Sequence, residues 1–301
     1  MEGKEEFKSS EKGWKLAGRN WKGKSTVFKV KDSEIGGNQL NMIAGPCAVE
    51  SEEQIFSIAE FLASKKMKFI RGGAYKPRTS PYAFQGLGKK GLELLRKAAD
   101  QFGLAVVTEV MDLSLLDEVY QYADILQVGT RNMHNYHFLR ELGKIDKPVL
   151  LKRGMAARIE EWLMAAEYIL LGGNEQVILC ERGVRSFDTS TRNIMDLAAV
   201  SLVKELSHLP VIADPSQGTG RKNLIGPVSM AAVAAGTDGL MIEIHNQPEK
   251  ALSDGEQSLN FKQFSEILPG IMAVASVVNK TPDFELSEDF SSENKRVLQG
   301  K

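Results

Sequence analysis

Long apolar runs are missing from this chain. No stretch approaches the ~20 apolar residues that a membrane-spanning helix needs, and the first residues, MEGKEEFKSSEKG, lack the apolar centre of a signal peptide. A soluble, cytoplasmic protein is the expectation. Cysteine is scarce too: Cys47 and Cys180 are the whole complement. That excludes a disulfide framework and leaves each as a small core residue unless chemistry claims it. An excess of one charge is also absent, with 38 Lys and Arg against 39 Asp and Glu and a net charge of -1. No global field recruits nucleic acid or an anionic membrane, so any anion site must be a local gathering of cations. Histidine is sparse, at four residues. His134 and His137 lack a neighbouring carboxylate or cysteine to complete a metal site, and read as surface residues at a helix start. His208 precedes a strand, and His245 follows Glu243 closely enough to lie near the rim described below.

What is present is an alternation of short apolar runs and helix-like segments. The runs are NMIAG (41–45), KFIRG (68–72), AVVTE (105–109), ILQVG (125–129), PVLLK (148–152), VILCE (177–181), VIADP (211–215) and LMIEI (240–244). Apolarity continuous over four or five residues fits strands buried on both faces, as in parallel sheets. Between them, SEEQIFSIAEFLASKK offers Ser51 as N-cap and Gln54 as its capping-box partner, with Ile55, Ile58, Ala59, Leu62 and Ala63 on one face. GLELLRKAADQF, EEWLMAAEYILL and IMDLAAVSLVKELS repeat that character. The pattern predicts an α/β fold, a (β/α)8 TIM barrel over residues 41–280, although an open doubly wound sheet shares the periodicity. Residues 1–40 form an N-terminal extension, with a charged, disordered start and then a hairpin over about 14–40. Residues 281–301 form a C-terminal tail.

The run ends carry charge: Arg71, Glu109, Arg131, Lys152, Glu181-Arg182, Asp214 and Glu243, with Cys47 after the first run. In a barrel these ends converge on the C-terminal rim, where barrel enzymes place their chemistry. The stretch FIRGGAYKPRTSP (69–81) adds Lys76, Arg78 and Thr79 on backbone that glycine and proline keep out of a helix. Two other motifs mislead. GRNWKGKS (18–25) spells a phosphate loop but has no helix after it, and GLGKKG (86–91) follows a loop rather than a strand and reads as a helix start.

AGPCAVES (44–51), RGGAYKPRTSPYAFQGLG (71–88), LLKRG (150–154), ILCERG (178–183), DPSQGTGR (214–221), IEIH (242–245) and LSDG (252–255) occur in that order. Together they resemble the type I 3-deoxy-D-arabino-heptulosonate 7-phosphate (DAHP) synthases in their compact β branch, over about residues 15–278. The resemblance implies a metal-dependent (β/α)8 barrel that condenses phosphoenolpyruvate with erythrose 4-phosphate to open the shikimate pathway. Sister enzymes making 3-deoxy-octulosonate 8-phosphate carry a loop resembling K-A-N-R-S. Here Lys76-Pro77-Arg78-Thr79-Ser80 takes the heptulosonate side.

By the match of motifs, Arg71, Lys76, Arg131, Lys152 and Arg182 should gather around phosphoenolpyruvate. Arg78 and Thr79 should take the phosphate of erythrose 4-phosphate. Lys76 would stabilise or protonate the developing alkoxide, and Glu109 is a candidate for activating water. The family's metal ligands fall on Cys47, Glu243 and Asp254; the fourth, a histidine in the family, is Gln217 here. Such a set suits manganese, iron, cobalt or zinc. The resemblance also implies a homo-oligomer and a chorismate mutase as a partner. Only about 40 residues precede Ala44, room for a hairpin but not for an added regulatory domain, so inhibition by tyrosine or phenylalanine is not expected. Two readings stay open beside this one: condensation with another aldose phosphate, and a catalytically silent barrel kept as a binding partner, for which Gln217 is the motive.

Overall fold

A chain of parallel strands joined by helices must either stop at two edges or close on itself, and here it closes. The computed structural model describes residues 13–285. An antiparallel hairpin comes first, β1 (Phe28–Val30) and β2 (Ser33–Ile35). The barrel follows with β3 (Gln39–Gly45), α1 (Glu52–Ser64), β4 (Phe69–Arg71), α2 (Lys89–Gln101), β5 (Ala105–Glu109) and α3 (Leu116–Tyr122). It continues through β6 (Ile125–Val128), α4 (Tyr136–Leu142), β7 (Val149–Lys152), α5 (Ile159–Leu171), β8 (Val177–Glu181) and α6 (Leu197–Leu206). The last units are β9 (Val211–Ala213), α7 (Pro215–Thr219), α8 (Lys222–Ala234), β10 (Gly239–Glu243) and α9 (Phe261–Val277), with a short β11 (Thr281–Pro282). Strands β3 to β10 pair in sequence order, all parallel, and β10 pairs with β3, from Gly239 opposite Asn41 to Glu243 opposite Gly45. This is the expected (β/α)8 barrel.

Alternation along each strand sorts the side chains. Ile43, Phe69, Ala105, Val107, Ile125, Leu150, Ile178, Ile212 and Met241 fill the barrel interior, and Val30 and Ile35 of the hairpin join them as a floor. Their neighbours in sequence point outward and pack beneath the helices. Fully burying one such side chain contributes roughly 1.5–3 kcal/mol. In α1, Ile55, Ile58, Ala59 and Leu62 are buried as the spacing predicts. The capping box is not formed as expected. Ser51 accepts the Gln54 N–H at 3.1 Å, but the buried Gln54 amide accepts from Glu50 N–H and donates to the Ala48 carbonyl, each at 3.0 Å. Burial turns that side chain toward the donors and acceptors of the β3 loop instead of its own cap.

The hairpin is shorter than the ~14–40 expected; its paired residues are 28–35. The segment before it is held by polar side chains of the barrel. Glu167 accepts the backbone N–H groups of Lys15, Leu16 and Ala17 at 2.8–2.9 Å, and His208 bridges Thr26 and the Leu16 carbonyl. The two motifs set aside above behave accordingly: no helix follows Ser25, and Gly88 precedes the first residue of α2. The charged start, residues 1–12, lies outside the described residues, as does the tail beyond 285.

Residues 281–285 lie against the base of the barrel. β11 pairs with β3, Phe284 is buried, and the Asp283 carboxylate accepts from Asn41 Nδ2 and Met42 N–H at 3.0 and 2.9 Å. Burial pushes the Asp283 carboxyl up to about 6. A carboxyl whose folded value is raised stabilises the fold in its protonated form, and that contribution fades as pH rises from its unfolded value through about 6. Relative to Asp283→Asn, the native chain should therefore lose stability between about pH 4 and 6.5. Urea unfolding of both proteins at several pH values checks this, and a pH-independent difference would refute it.

Candidate active site

Because all the barrel strands run one way, the charges that end them meet at one rim. There they line a cavity of about 460 Å³. Arg71, Lys76, Arg78, Thr79, Glu109, Arg131, Lys152, Arg182, Gln217 and Asp254, all singled out from the sequence, border it. So do Arg185, Arg192, Asn193 and Gln127, which the sequence reading passed over. These first two arginines belong to the loop after β8, whose ends pair through Val184 and Ile194. Looking only at strand ends missed them; two further arginines within ten residues of Arg182 were the available signal.

Four of these cations are held by local geometry. Arg71, 5% exposed, donates to the Pro46 carbonyl and to Glu243 Oε1, both at 2.9 Å. Lys76 folds back over Gly73 and donates to the Cys47 carbonyl at 3.0 Å. A Cβ on Gly73 would stand 2.7 Å from Lys76 Cδ, so only glycine leaves the lysine its course. Arg78 is fastened through Nε to the Phe84 carbonyl at 3.1 Å, which leaves the outer edge of its guanidinium for another acceptor. Lys152 pairs with Asp214 at 2.6 Å, and Asp214 also caps α7 by accepting the Gln217 N–H. Arg182 is buried, and its Nε has no partner among the described residues. Burial holds that guanidinium below its usual range despite Asp214 nearby. An unsatisfied buried donor beside several cations is the counterpart of an anion.

Glu109 reaches the cavity from the end of β5. Its Oε1 lies 1.9 Å from where a Gly129 Cβ would stand, so the glycine after β6 makes room for the carboxylate. Two strand-end residues turn elsewhere. Glu181 is fully buried and pairs with Arg153 at 2.7 Å, away from the cavity, because alternation sends it opposite to Arg182. His245 faces Gln54 and Glu50. His134 and His137 are exposed.

Below the cations lies a group of metal-type donors. One ligand atom each from Cys47, Glu243 and Asp254 falls within 4.8 Å of the others. Cys47 Sγ lies 2.9 Å from Ser253 Oγ and 3.2 Å from Asp254 Oδ2. Burial and the neighbouring Glu243 carboxylate push the thiol up to about 11. Burial alone would raise Asp254, but Arg192 and the hydrogen bonds from Cys47 and Gln217, with Lys76 nearby, hold it below its usual range. A soft thiol and two carboxylates converging this closely fit a divalent cation, which would take the thiol's proton off. Gln217 stands at this group and presents its amide nitrogen, 3.0 Å from Glu243 Oε1 and 3.3 Å from Asp254 Oδ2. Two carboxylates draw the donor end of an amide and repel its oxygen, so ligation by Oε1 requires the amide to turn over.

The chain is similar to known proteins over most of its length. Residues 24–279 match the model of the DAHP synthetase I family. Phospho-2-dehydro-3-deoxyheptonate aldolase of Thermotoga maritima is 49% identical over 267 residues, 89% of this chain and 79% of that one. A crystal structure of the Thermotoga enzyme superposes with a TM-score of 0.88 at 48% identity, covering 90% of this chain and 79% of the other. 2-Dehydro-3-deoxyphosphooctonate aldolase of Koribacter versatilis is more distant, at 33% identity over 83% of this chain and 96% of that one.

Proposed function

Since the chain belongs to the DAHP synthetase I family, we propose that its rim cavity condenses phosphoenolpyruvate with erythrose 4-phosphate. The products are 3-deoxy-D-arabino-heptulosonate 7-phosphate and inorganic phosphate, which makes the chain a transferase of the shikimate pathway and of aromatic amino-acid biosynthesis. The observation that carries this reading is the bank of arginines and lysines facing one cavity in a chain with a net charge of -1. Two phosphorylated substrates side by side need that local charge. The Lys76-Pro77-Arg78-Thr79-Ser80 loop and the higher identity to the heptonate enzyme favour the four-carbon aldose phosphate over the octonate chemistry.

In this reading Arg71, Lys76, Arg131, Lys152 and Arg182 grip the carboxylate and phosphate of phosphoenolpyruvate. Arginine supplies paired planar donors and lysine a compact charge. Arg78 and Thr79 hold the phosphate of the aldose. C3 of phosphoenolpyruvate forms the new bond to the aldehyde carbon, and Lys76 Nζ gives a proton to the oxygen that becomes an alkoxide. Water adds at C2, with Glu109 as the acceptor of its proton, and the C2–O bond to phosphate breaks. Bringing the two carbons together in a fixed orientation supplies much of the acceleration. Cys47, Glu243 and Asp254, joined by Gln217, would hold a divalent ion such as manganese, iron, cobalt or zinc. Such an ion supplies Lewis acidity toward the aldehyde oxygen. The reading extends to a cytoplasmic homo-oligomer with a chorismate mutase as a partner; no described helix is long and apolar enough to cross a membrane.

A coupled assay for phosphate release, run metal-free and then with each ion added, tests this function. Phosphoenolpyruvate should be consumed only when erythrose 4-phosphate is present. Better turnover with a five-carbon aldose phosphate would overturn the substrate assignment, and no turnover with any ion would leave the silent barrel.

Arg78→Ala separates the two substrate sites. Losing one charge-assisted hydrogen bond costs about 1.5–3 kcal/mol, or roughly tenfold or more in binding. The KM for erythrose 4-phosphate should rise by that factor while the KM for phosphoenolpyruvate changes little. Equal rises for both would show that the loop serves a different end of the site.

A further inference from the structure

Gln257 has no part in the chemistry above, yet it joins the cavity to the group of metal-type donors. Its side chain is buried, 4% exposed. Its Oε1 accepts from Arg192 Nη1 at 2.8 Å, and its Nε2 donates to Glu243 Oε2. The direction of this amide is settled by chemistry: arginine only donates and a carboxylate only accepts, so the amide has one orientation that satisfies both. Arg192 itself, 42% exposed, lines the cavity and stands 3.7 Å from Asp254 Oδ2. Its backbone is fixed to the segment that carries Gln217: Arg192 N–H donates to Thr219 O at 3.0 Å, and Asn193 Nδ2 to Gln217 O at 2.9 Å. A cavity-facing cation, a buried amide and the central carboxylate therefore form one hydrogen-bonded chain.

We propose that Gln257 is a positioning residue that couples anion binding at Arg192 to cation binding at Glu243. This rests on the reading of Cys47, Glu243 and Asp254 as metal ligands. While Arg192 holds the Gln257 oxygen, it polarises the amide and strengthens the hydrogen bond on Glu243. That bond competes with a metal ion for the carboxylate, and the guanidinium beside Asp254 repels the ion. A phosphate ester in the cavity draws Arg192 away or neutralises it. Gln257 then relaxes its hold and Glu243 becomes the better ligand. By linkage, the metal tightens the phosphate ester by the same factor. Substrate and metal thereby enter as a coupled pair.

The test measures metal binding directly. Manganese(II) is titrated into the metal-free protein, and the free ion is followed by its electron paramagnetic resonance, with and without saturating glycerol 3-phosphate. In the native chain the ester should tighten manganese on the order of tenfold. Gln257→Met matches the side chain in length and keeps every formal charge while breaking the relay, so coupling should shrink to about twofold or less. Arg192→Ala, at an exposed position that does not threaten the fold, should shrink it equally, and combining the two should add nothing. Undiminished coupling in either variant would mean that direct Coulomb attraction carries it, and would overturn the proposal. Manganese that binds the native chain tightly without responding to the ester overturns the proposal but leaves the ligand reading intact. Absence of manganese binding overturns both.

Discussion

Lys76→Met should lower turnover by about 10²–10³-fold while the protein stays folded and still binds phosphoenolpyruvate. Removing one donor aimed at a developing oxyanion costs about that much in rate. The geometry explains why no neighbour would compensate. Lys76 is 8% exposed, its stem lies over Gly73, and its ammonium is anchored on the Cys47 carbonyl. Arg71 is committed to Glu243, and Lys152 to Asp214. Methionine keeps the stem's packing and removes only the charge and the proton. Single-turnover kinetics with both substrates separates the chemical step from binding, and a variant within about fivefold of native turnover would remove Lys76 from the proton-transfer role. Lys76→Arg should not restore the rate, since a planar guanidinium does not fit the space of an ammonium resting on a glycine. Gly73→Ala, with its methyl 2.7 Å from Lys76 Cδ, should reproduce part of the loss without touching the lysine.

The second large effect is expected at Gln217. Gln217→His should tighten metal binding about 10–100-fold and lower by a similar factor the metal concentration for half-maximal activity. Even groups that only support a ligand change metal affinity by about 10–100-fold, and imidazole is a better donor than a neutral amide toward later first-row ions. Gln217→Ala gives the more informative sign. The amide nitrogen serves Glu243 and Asp254. If the amide turns over to ligate, its removal weakens metal binding, which is the expected outcome. If it acts only as a donor that occupies the two carboxylates, its removal frees them and tightens the ion. Chelator competition with a chromophoric dye distinguishes the two. Full activity after exhaustive chelation, unchanged by Gln217→His, would dismiss metal ligation altogether.

Much of this site was legible before any coordinates. Strands buried on both faces read as continuous apolar runs, and a charge at the end of such a run must sit at a rim. Arg71, Lys152 and Arg182 therefore fell at the rim from pattern alone, while Lys76 and Arg78 of the loop at 76–79 were placed by the resemblance of their motif. The capping box at Ser51 did not. Gln54 has the right spacing for it, but a buried amide goes to whichever polar groups the fold leaves unsatisfied, and those belong to the β3 loop.

By itself the sequence determined the alternation of doubly buried strands and helices, the charges that end those strands and the residue types available for chemistry, because these follow from local periodicity and from the polarity of strand ends; closure into a barrel was decided by the pairing of β10 with β3. Tertiary structure alone decided which neighbours face the cavity. Glu181 turns out to Arg153 while Arg182, one residue on, turns in. It also joined Arg192, in the loop after β8, to Gln257, in the loop after β10, and set Cys47 and Arg71, from the first two barrel strands, against Asp254 and Glu243 of the last. A hydrogen bond depends on distances of a few tenths of an ångström and on donor direction. Between residues far apart in sequence, both are set only when the sheet closes and brings its first and last strands side by side.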